Sequence, residues 1–232
     1  MFWTGGWAGR FRGRWTGAKR TVAAPADMFS LYRRAGLARE CRRWLCGAGA
    51  RSLVVMGELV AHARRVAESR LAELPRRWAH VQGVAAAAAQ IRGHFDVTAG
   101  DCLVAAAWTH DIGYGPSVRG TGFHPLDGAR FVRSQGFPEL VVSLVAFHSG
   151  ATVEAQVRGV QGLSEFSEPD RELLDALTFC DLTTGPDGTL VSAAVRLGEV
   201  LQRYGPDDPV HQAIDLSRDD LLAAVRRVQS WQ

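Results

Sequence analysis

Lysine is almost missing from this chain: Lys19 is the only one in 232 residues, although Lys and Arg together number 27. Any cationic work in the folded part therefore falls to arginine, whose planar guanidinium forks onto phosphate and carboxylate oxygens. Cysteine is scarce as well. Cys41, Cys46, Cys102 and Cys180 have neither zinc-knuckle spacing nor the density of a secreted disulfide scaffold. Free thiols in a reducing compartment are the expected state. No apolar run approaches the roughly 20 residues needed to cross a bilayer, and the opening Met1–Arg10 segment lacks the continuous apolar core of a signal peptide. A cytoplasmic protein without membrane association is expected. The net charge is only +3. Its surplus lies in the first fifty residues, including Arg10, Arg12, Arg14, Arg20, Arg33, Arg34, Arg39, Arg42 and Arg43, so no basic face for nucleic acid is expected across the folded domain.

Strand alternation is absent too, and what remains is helical. Residues 1–27, rich in Gly, Arg and Trp without a period, read as a disordered basic leader. Residues 28–75 read as N-terminal helices, one over Arg33–Cys46 and one carrying the apolar stripe Leu53, Met56, Leu59, Val60, Ala63, Val66, Ala67 and Leu71. Within 76–185, helices are predicted over Arg76–Ile91, from Asp101 through Trp108, Pro125–Gln135, Pro138–His148 and Asp170–Thr183. Asp96 and Asp101 both have the character of N-caps. The segments 114–123 and 150–168 read as loops. Residues 186–232 add helices over Leu190–Tyr204 and Ser217–Trp231, packed on the same domain and separated by the Pro-rich 206–209, with His211 read as a loop residue. His62 and His94 read as surface residues. The predicted fold is all-α, a chain long enough for one sizeable domain with appendages.

The chemistry centres on His110-Asp111, which end the apolar run Leu103–Trp108. Burying an imidazole and a carboxylate is costly unless something pairs with them, and a divalent ion is the usual partner where more histidines are within reach. His80 lies in the preceding helix, His124 opens the helix that Pro125 starts, His148 ends the next, and Asp181 is near the end of a fifth. A helical bundle can bring such positions to one interior point. Mixed imidazole and carboxylate ligands suit Mn, Fe, Co, Ni or Zn; Mg, which prefers more oxygen, is admitted.

The order of these residues resembles the HD superfamily of metal-dependent phosphohydrolases: a histidine on one helix, an adjacent His-Asp on a later one, then a final aspartate. His80, His110, Asp111 and Asp181 occupy those positions, and Ala106-Ala107-Trp108-Thr109-His110-Asp111-Ile112-Gly113 looks like the family's central motif. The resemblance spans about residues 76–185 and implies a helical bundle of the HD type. His124 and His148 stand where the two-metal branch has its extra ligands, which implies one or two divalent ions with Asp111 bridging both. Tyr114 stands where some branches carry lysine, and Gly113-Tyr114 is followed by Gly115 before Pro116, so cyclic-dinucleotide phosphodiesterase activity is not implied.

The resemblance implies hydrolysis of a phosphomonoester or phosphodiester, in a nucleotide or related small molecule. His110 and Asp111 would then serve catalysis as well as metal binding. Arg77, three residues before His80, and Arg130, six after His124, are candidates to hold the phosphate, with Arg158 a third. Two other classes stay open: a sensor that binds metal and nucleotide without turnover, and a di-iron oxygenase on the same architecture. Substrate and oligomeric state are not specified by the motif.

Overall fold

The computed structural model describes residues 52–231, and these form helices joined by turns and loops, with a single isolated bridge between Thr184 and Leu190 in place of any strand. The predicted all-α class holds for them. The expectations for the leader 1–27 and for a helix over Arg33–Cys46 lie outside the described residues.

The helices are α1 (Ser52–Leu71), α2 (Pro75–Ile91), α3 (Val97–Thr109), α4 (His124–Ser134), α5 (Glu139–Phe147), α6 (Ala151–Arg158), α7 (Arg171–Leu182), α8 (Ala193–Arg203) and α9 (Pro209–Gln229). Helix α3 is the axis of the bundle. Its residues Gly100 through Ala107 are all buried, and a helix apolar on every side belongs in an interior. It packs against α1, α2, α5 and α7. The small side chains of Ala105, Ala106 and Ala107, each 0% exposed, let those neighbours approach closely. Leu103 is also fully enclosed, and truncating such a leucine to alanine costs about 3 kcal/mol.

Proline and aspartate set the helix starts. Pro75 and Pro209 sit in first turns, where the missing N–H has no intrahelical partner to lose. Asp208 caps α9 by accepting from the Val210 N–H at 2.8 Å, and Asp170 caps α7 in the same way from Glu172. Helix α9 therefore begins eight residues before the predicted Ser217, and His211 is in its first turn rather than in a loop. Asp96 caps α3, accepting from the Ala99 N–H at 2.9 Å. Asp101 does not cap it: it lies inside α3, buried, and pairs with Arg92 at 3.0 Å.

Two further expectations need correction. The segment 150–168 contains α6, bounded by Gly150 (φ 83°) and Gly159 (φ 65°). Only Ala151 and Ala155 of α6 are buried, and α9 packs beside it; tertiary contact, not local propensity, specifies so short a helix. Glu139–Arg158 also has the length and mean hydropathy (1.3) of a membrane span. It is divided at Ser149 and Gly150 into α5 and α6, and Val141, Val142, Leu144 and Val145 face the core. His94 is exposed as expected and stacks on Trp231 at 4.0 Å, while His62 is half-buried and stacks on Phe137.

The helices after residue 185 return to the bundle, with α9 packing on α6 and α7. Between α7 and α8 the chain makes a tight turn, Gly185 to Gly188, laid against α2. A Cβ on Gly83 would stand 2.5 Å from the Gly188 carbonyl oxygen, so only glycine at 83 lets the turn close there. That contact matters for the site, because Gly185 supplies the carbonyl that orients His80.

Candidate metal and phosphate site

Five helices deliver six side chains to the core of the bundle, four of those helices from their ends. His80 comes from the middle of α2, His110 and Asp111 from the end of α3, and His124 from the first residue of α4. His148 follows α5, and Asp181 is in the last turn of α7. They form two triads whose ligand atoms lie within 4.8 Å of one another: His80, His110 and Asp181; and Asp111, His124 and His148. Asp111 joins them. Its Oδ2 lies 3.5 Å from His110 Nε2 and 3.8 Å from His80 Nε2, while its Oδ1 lies 3.5 Å from His124 Nε2.

Three of the four imidazoles are oriented alike. His80 Nδ1 donates to the Gly185 carbonyl at 3.1 Å, His110 Nδ1 to Ala107 at 2.8 Å, and His148 Nδ1 to Val145 at 2.7 Å. A carbonyl oxygen only accepts, so each Nδ1 carries the proton. Nε2 of His110 and of His148 then presents its lone pair to the cluster, whereas His80 Nε2 donates to Asp181 Oδ1 at 2.9 Å, a contact that outweighs burial and raises the His80 pKa. Metal-ligating histidines are commonly fixed in this way. Burial lowers the His110 pKa to about 4 and holds His124 well below the usual imidazole range, so both are neutral at physiological pH. Burial acts against ionised Asp111 and Asp181 as well. Together, Arg77 and the surrounding imidazoles outweigh it for Asp111, and the His80 hydrogen bond with the charges of His110, His80 and Arg196 outweighs it for Asp181, keeping both carboxyls below their ordinary values.

These residues fit a divalent ion. His110 Nε2 is buried without any hydrogen-bond partner among the described residues, a state costing about 1–3 kcal/mol unless a cation meets it. His124 Nε2 and His148 Nε2 face each other at 3.2 Å, although His148 has already committed its Nδ1 proton to Val145. Two such nitrogens and the shared carboxylate are a donor set for a borderline cation. Either triad could hold one.

Other residues shape the site, and of these Ser149 carries no signal in the sequence. Ser149 Oγ donates to Asp181 Oδ2 at 2.5 Å from a backbone at φ 47°, a left-handed conformation that non-glycine residues rarely hold. Tyr114 stacks on His124 with ring centroids 4.1 Å apart, and the Arg77 guanidinium lies 3.9 Å above the other partner of that stack, the Tyr114 ring. Gly113 has a packing role: a Cβ there would stand 2.1 Å from the His124 carbonyl oxygen. The glycine after Asp111-Ile112 is thus what allows α4 to begin beside the end of α3.

A cavity of about 660 Å³ opens over the first triad, lined by His80 and by Arg76, Arg77, Arg119, Arg196 and Arg203, with Leu74, Pro75, Tyr114, Pro116 and Pro186 as its less polar walls. A smaller inner space of about 100 Å³ continues from it to Asp111, His124, His148 and Asp181. Arg77, Tyr114, Arg196 and Arg203 line both. Of the arginines expected to meet phosphate, Arg77 is here, donating to Asp111 at 2.5 Å. Arg130 is not. It is exposed, pairs with Glu165 and lines neither space. Its six-residue offset from His124 carries it away from the start of α4 and toward the 163–165 turn. Arg158 pairs with Glu154 at 2.7 Å and lines neither space. Arg196 and Arg203 take their place. They lie seven residues apart on one face of α8, a spacing that α8 in isolation gives no reason to direct at the triads.

Residues 77–182 match the family model described as the HD domain. No curated protein and no solved structure matches the chain.

Proposed function

Through residues 77–182 this chain belongs to the HD-domain superfamily, and from that premise we propose that it is a metal-dependent phosphohydrolase cleaving a phosphomonoester or phosphodiester of a small molecule. One observation carries the reading: the Asp111 carboxylate lies between two triads of imidazole and carboxylate, so that two divalent ions would find ligands beside an arginine-lined cavity.

His80, His110 and Asp181 would hold one ion and His124 and His148 the other, with Asp111 between. When bound, divalent ions supply a water of lowered pKa and polarise a phosphoryl oxygen. The remaining chemistry belongs to the chain. Asp181, fixed by His80 on one oxygen and Ser149 on the other, is held ionised to balance positive charge. Arg77 and Arg196, at the junction of the two spaces, meet the phosphoryl oxygens as charge develops on them. Tyr114, stacked between Arg77 and His124, separates the inner space from the outer. Arginine is the cation best suited to a tetrahedral dianion, and five of them around the cavity favour phosphoester chemistry over an oxygenase reaction on the same ligands.

Cys102 and Cys180, buried free thiols among the described residues, support a cytoplasmic setting. Helices α8 and α9 belong to the functional unit, since α8 contributes two of the cavity's arginines.

The test is elemental analysis of the untagged protein together with a phosphoester panel assayed with Mn, Co, Fe, Ni, Zn and Mg. Bound metal with turnover of at least one phosphoester class is expected. Absence of bound metal, or a fully loaded protein that cleaves nothing, would overturn the reading.

A further inference from the structure

The arginines around the outer cavity outnumber what one phosphoryl group at the triads requires. Five guanidiniums face it, and the carboxylates paired with them are Asp111, which meets Arg77, and Glu199, which bonds both Arg196 and Arg203. No carboxylate lines the cavity itself. Arg76 and Arg119 have no ion pair among the described residues. They line only the outer cavity, away from the inner space that reaches Asp111 and Asp181.

Arg196 is the deepest of the set. It is only 7% exposed, and its Nε is buried without a hydrogen-bond partner. A buried guanidinium nitrogen left unpaired at a cavity wall is costly unless a ligand oxygen reaches it. Arg119 is an exposed side chain on a well-held backbone. The next three residues, Gly120, Thr121 and Gly122, all donate backbone N–H groups to the buried Asp127 carboxylate, at 2.8–3.1 Å. The loop is therefore built to hold its position at the cavity mouth.

We propose that this cavity takes a small molecule with two phosphoryl groups: Arg196 holds the one at the triads, Arg119 and Arg76 hold the second at the mouth, and the apolar body lies against Pro116 and Pro186. As a statement about substrate, it rests on the phosphohydrolase reading above. Charge supports it, because each phosphoryl group brings about 1.5 to 2 negative charges near neutral pH. The ions and Arg196 meet the first, and the two unpaired mouth arginines meet the second in the bidentate geometry guanidinium favours. The proline walls offer a flat apolar surface suited to a planar or short hydrocarbon body.

The test titrates the metal-loaded full chain calorimetrically with butylphosphonate and with 1,4-butylenediphosphonate, which carry one and two phosphoryl groups on a short hydrocarbon body and no ester to cleave. The two-phosphoryl compound is expected to bind about tenfold or more tighter. In Arg119→Gln and Arg76→Gln that ratio falls by about tenfold or more, while Arg218→Gln, on the exposed side of α9, leaves it unchanged. Circular dichroism confirms that each variant is folded. A preference that is absent, or that survives the Arg76→Gln/Arg119→Gln double variant, overturns the proposal and assigns any preference to the metal ions. An arginine-dependent preference in a protein that hydrolyses no phosphoester sinks the hydrolase reading and leaves the two-phosphoryl ligand standing.

Discussion

Arg77 Nη1 donates to Asp111 Oδ2 at 2.5 Å, and the same guanidinium lies 3.9 Å above the Tyr114 ring. One cation is thereby held between a carboxylate shared by both triads and an aromatic face that itself stacks on His124. Arg77 is 23% exposed at its side chain whereas Asp111 is 4% exposed, so the pair spans the boundary between the cavity and the buried cluster.

Replacing Arg77 with lysine keeps the charge but loses the planar stack and the fork. Turnover (kcat/KM) on the best phosphoester should fall by about tenfold to a hundredfold, with metal content retained by elemental analysis. Asp111→Ala should instead lose both metal and turnover. If Arg77→Lys empties the site of metal as completely as Asp111→Ala does, Arg77 acts by holding Asp111 and not by meeting phosphate.

Ser149 sets two effects against each other. Its φ of 47° favours glycine, while its hydroxyl donates to Asp181. Ser149→Ala loses the hydrogen bond and keeps the backbone strain; Ser149→Gly loses the bond and relieves the strain. The glycine variant should be the more stable of the two by about 1 kcal/mol in chemical denaturation. Equal stabilities would mean that the left-handed residue stores no strain.

Gly113→Ala tests the close approach of α3 and α4. The added methyl would stand 2.1 Å from the His124 carbonyl oxygen, and backbone cannot yield as a flexible side chain does. A loss of about 2–3 kcal/mol is expected. Because His124 begins α4 at that contact, the second triad should suffer more than the first, read as loss of one bound ion before the other in a metal titration.

Much of this was legible in the sequence, and the residues themselves indicate why. His80, His110, Asp111, His124, His148 and Asp181 stand out because histidines and aspartates at helix ends in apolar company are expensive, and a bundle gives them one interior to share. The helix periods place α1, α2 and α7 closely. What could not be read was direction. Arg130 and Arg196 are equally anonymous arginines on amphipathic helices, and only packing turns one toward Glu165 and the other into the cavity. Helix α6 was hidden for a related reason, since its few buried residues draw their stability from α9. Asp101 shows the converse: its composition reads as a cap, but the extended backbone a cap needs belongs to Asp96.

Asp127 gives the pH dependence. Its carboxylate accepts from the N–H groups of Gly120, Thr121 and Gly122 and from the Thr121 hydroxyl. Burial acts to raise its pKa, but these hydrogen bonds outweigh burial and leave it below the ordinary carboxylate value. A carboxyl with a folded-state pKa below its unfolded one contributes stability that is fully present above the unfolded value, roughly pH 4. That contribution fades as the pH falls through the folded value. Asp127→Asn should therefore lose about 2 kcal/mol at pH 7, and the gap between it and the native protein should stay constant down to about pH 5 and close below about pH 4. Denaturant midpoints across that range measure it. Because the loop Asp127 holds carries Arg119, the same variant should weaken 1,4-butylenediphosphonate more than butylphosphonate at pH 7. A stability gap that widens toward low pH would show that the hydrogen bonds at Asp127 do not favour its ionised form.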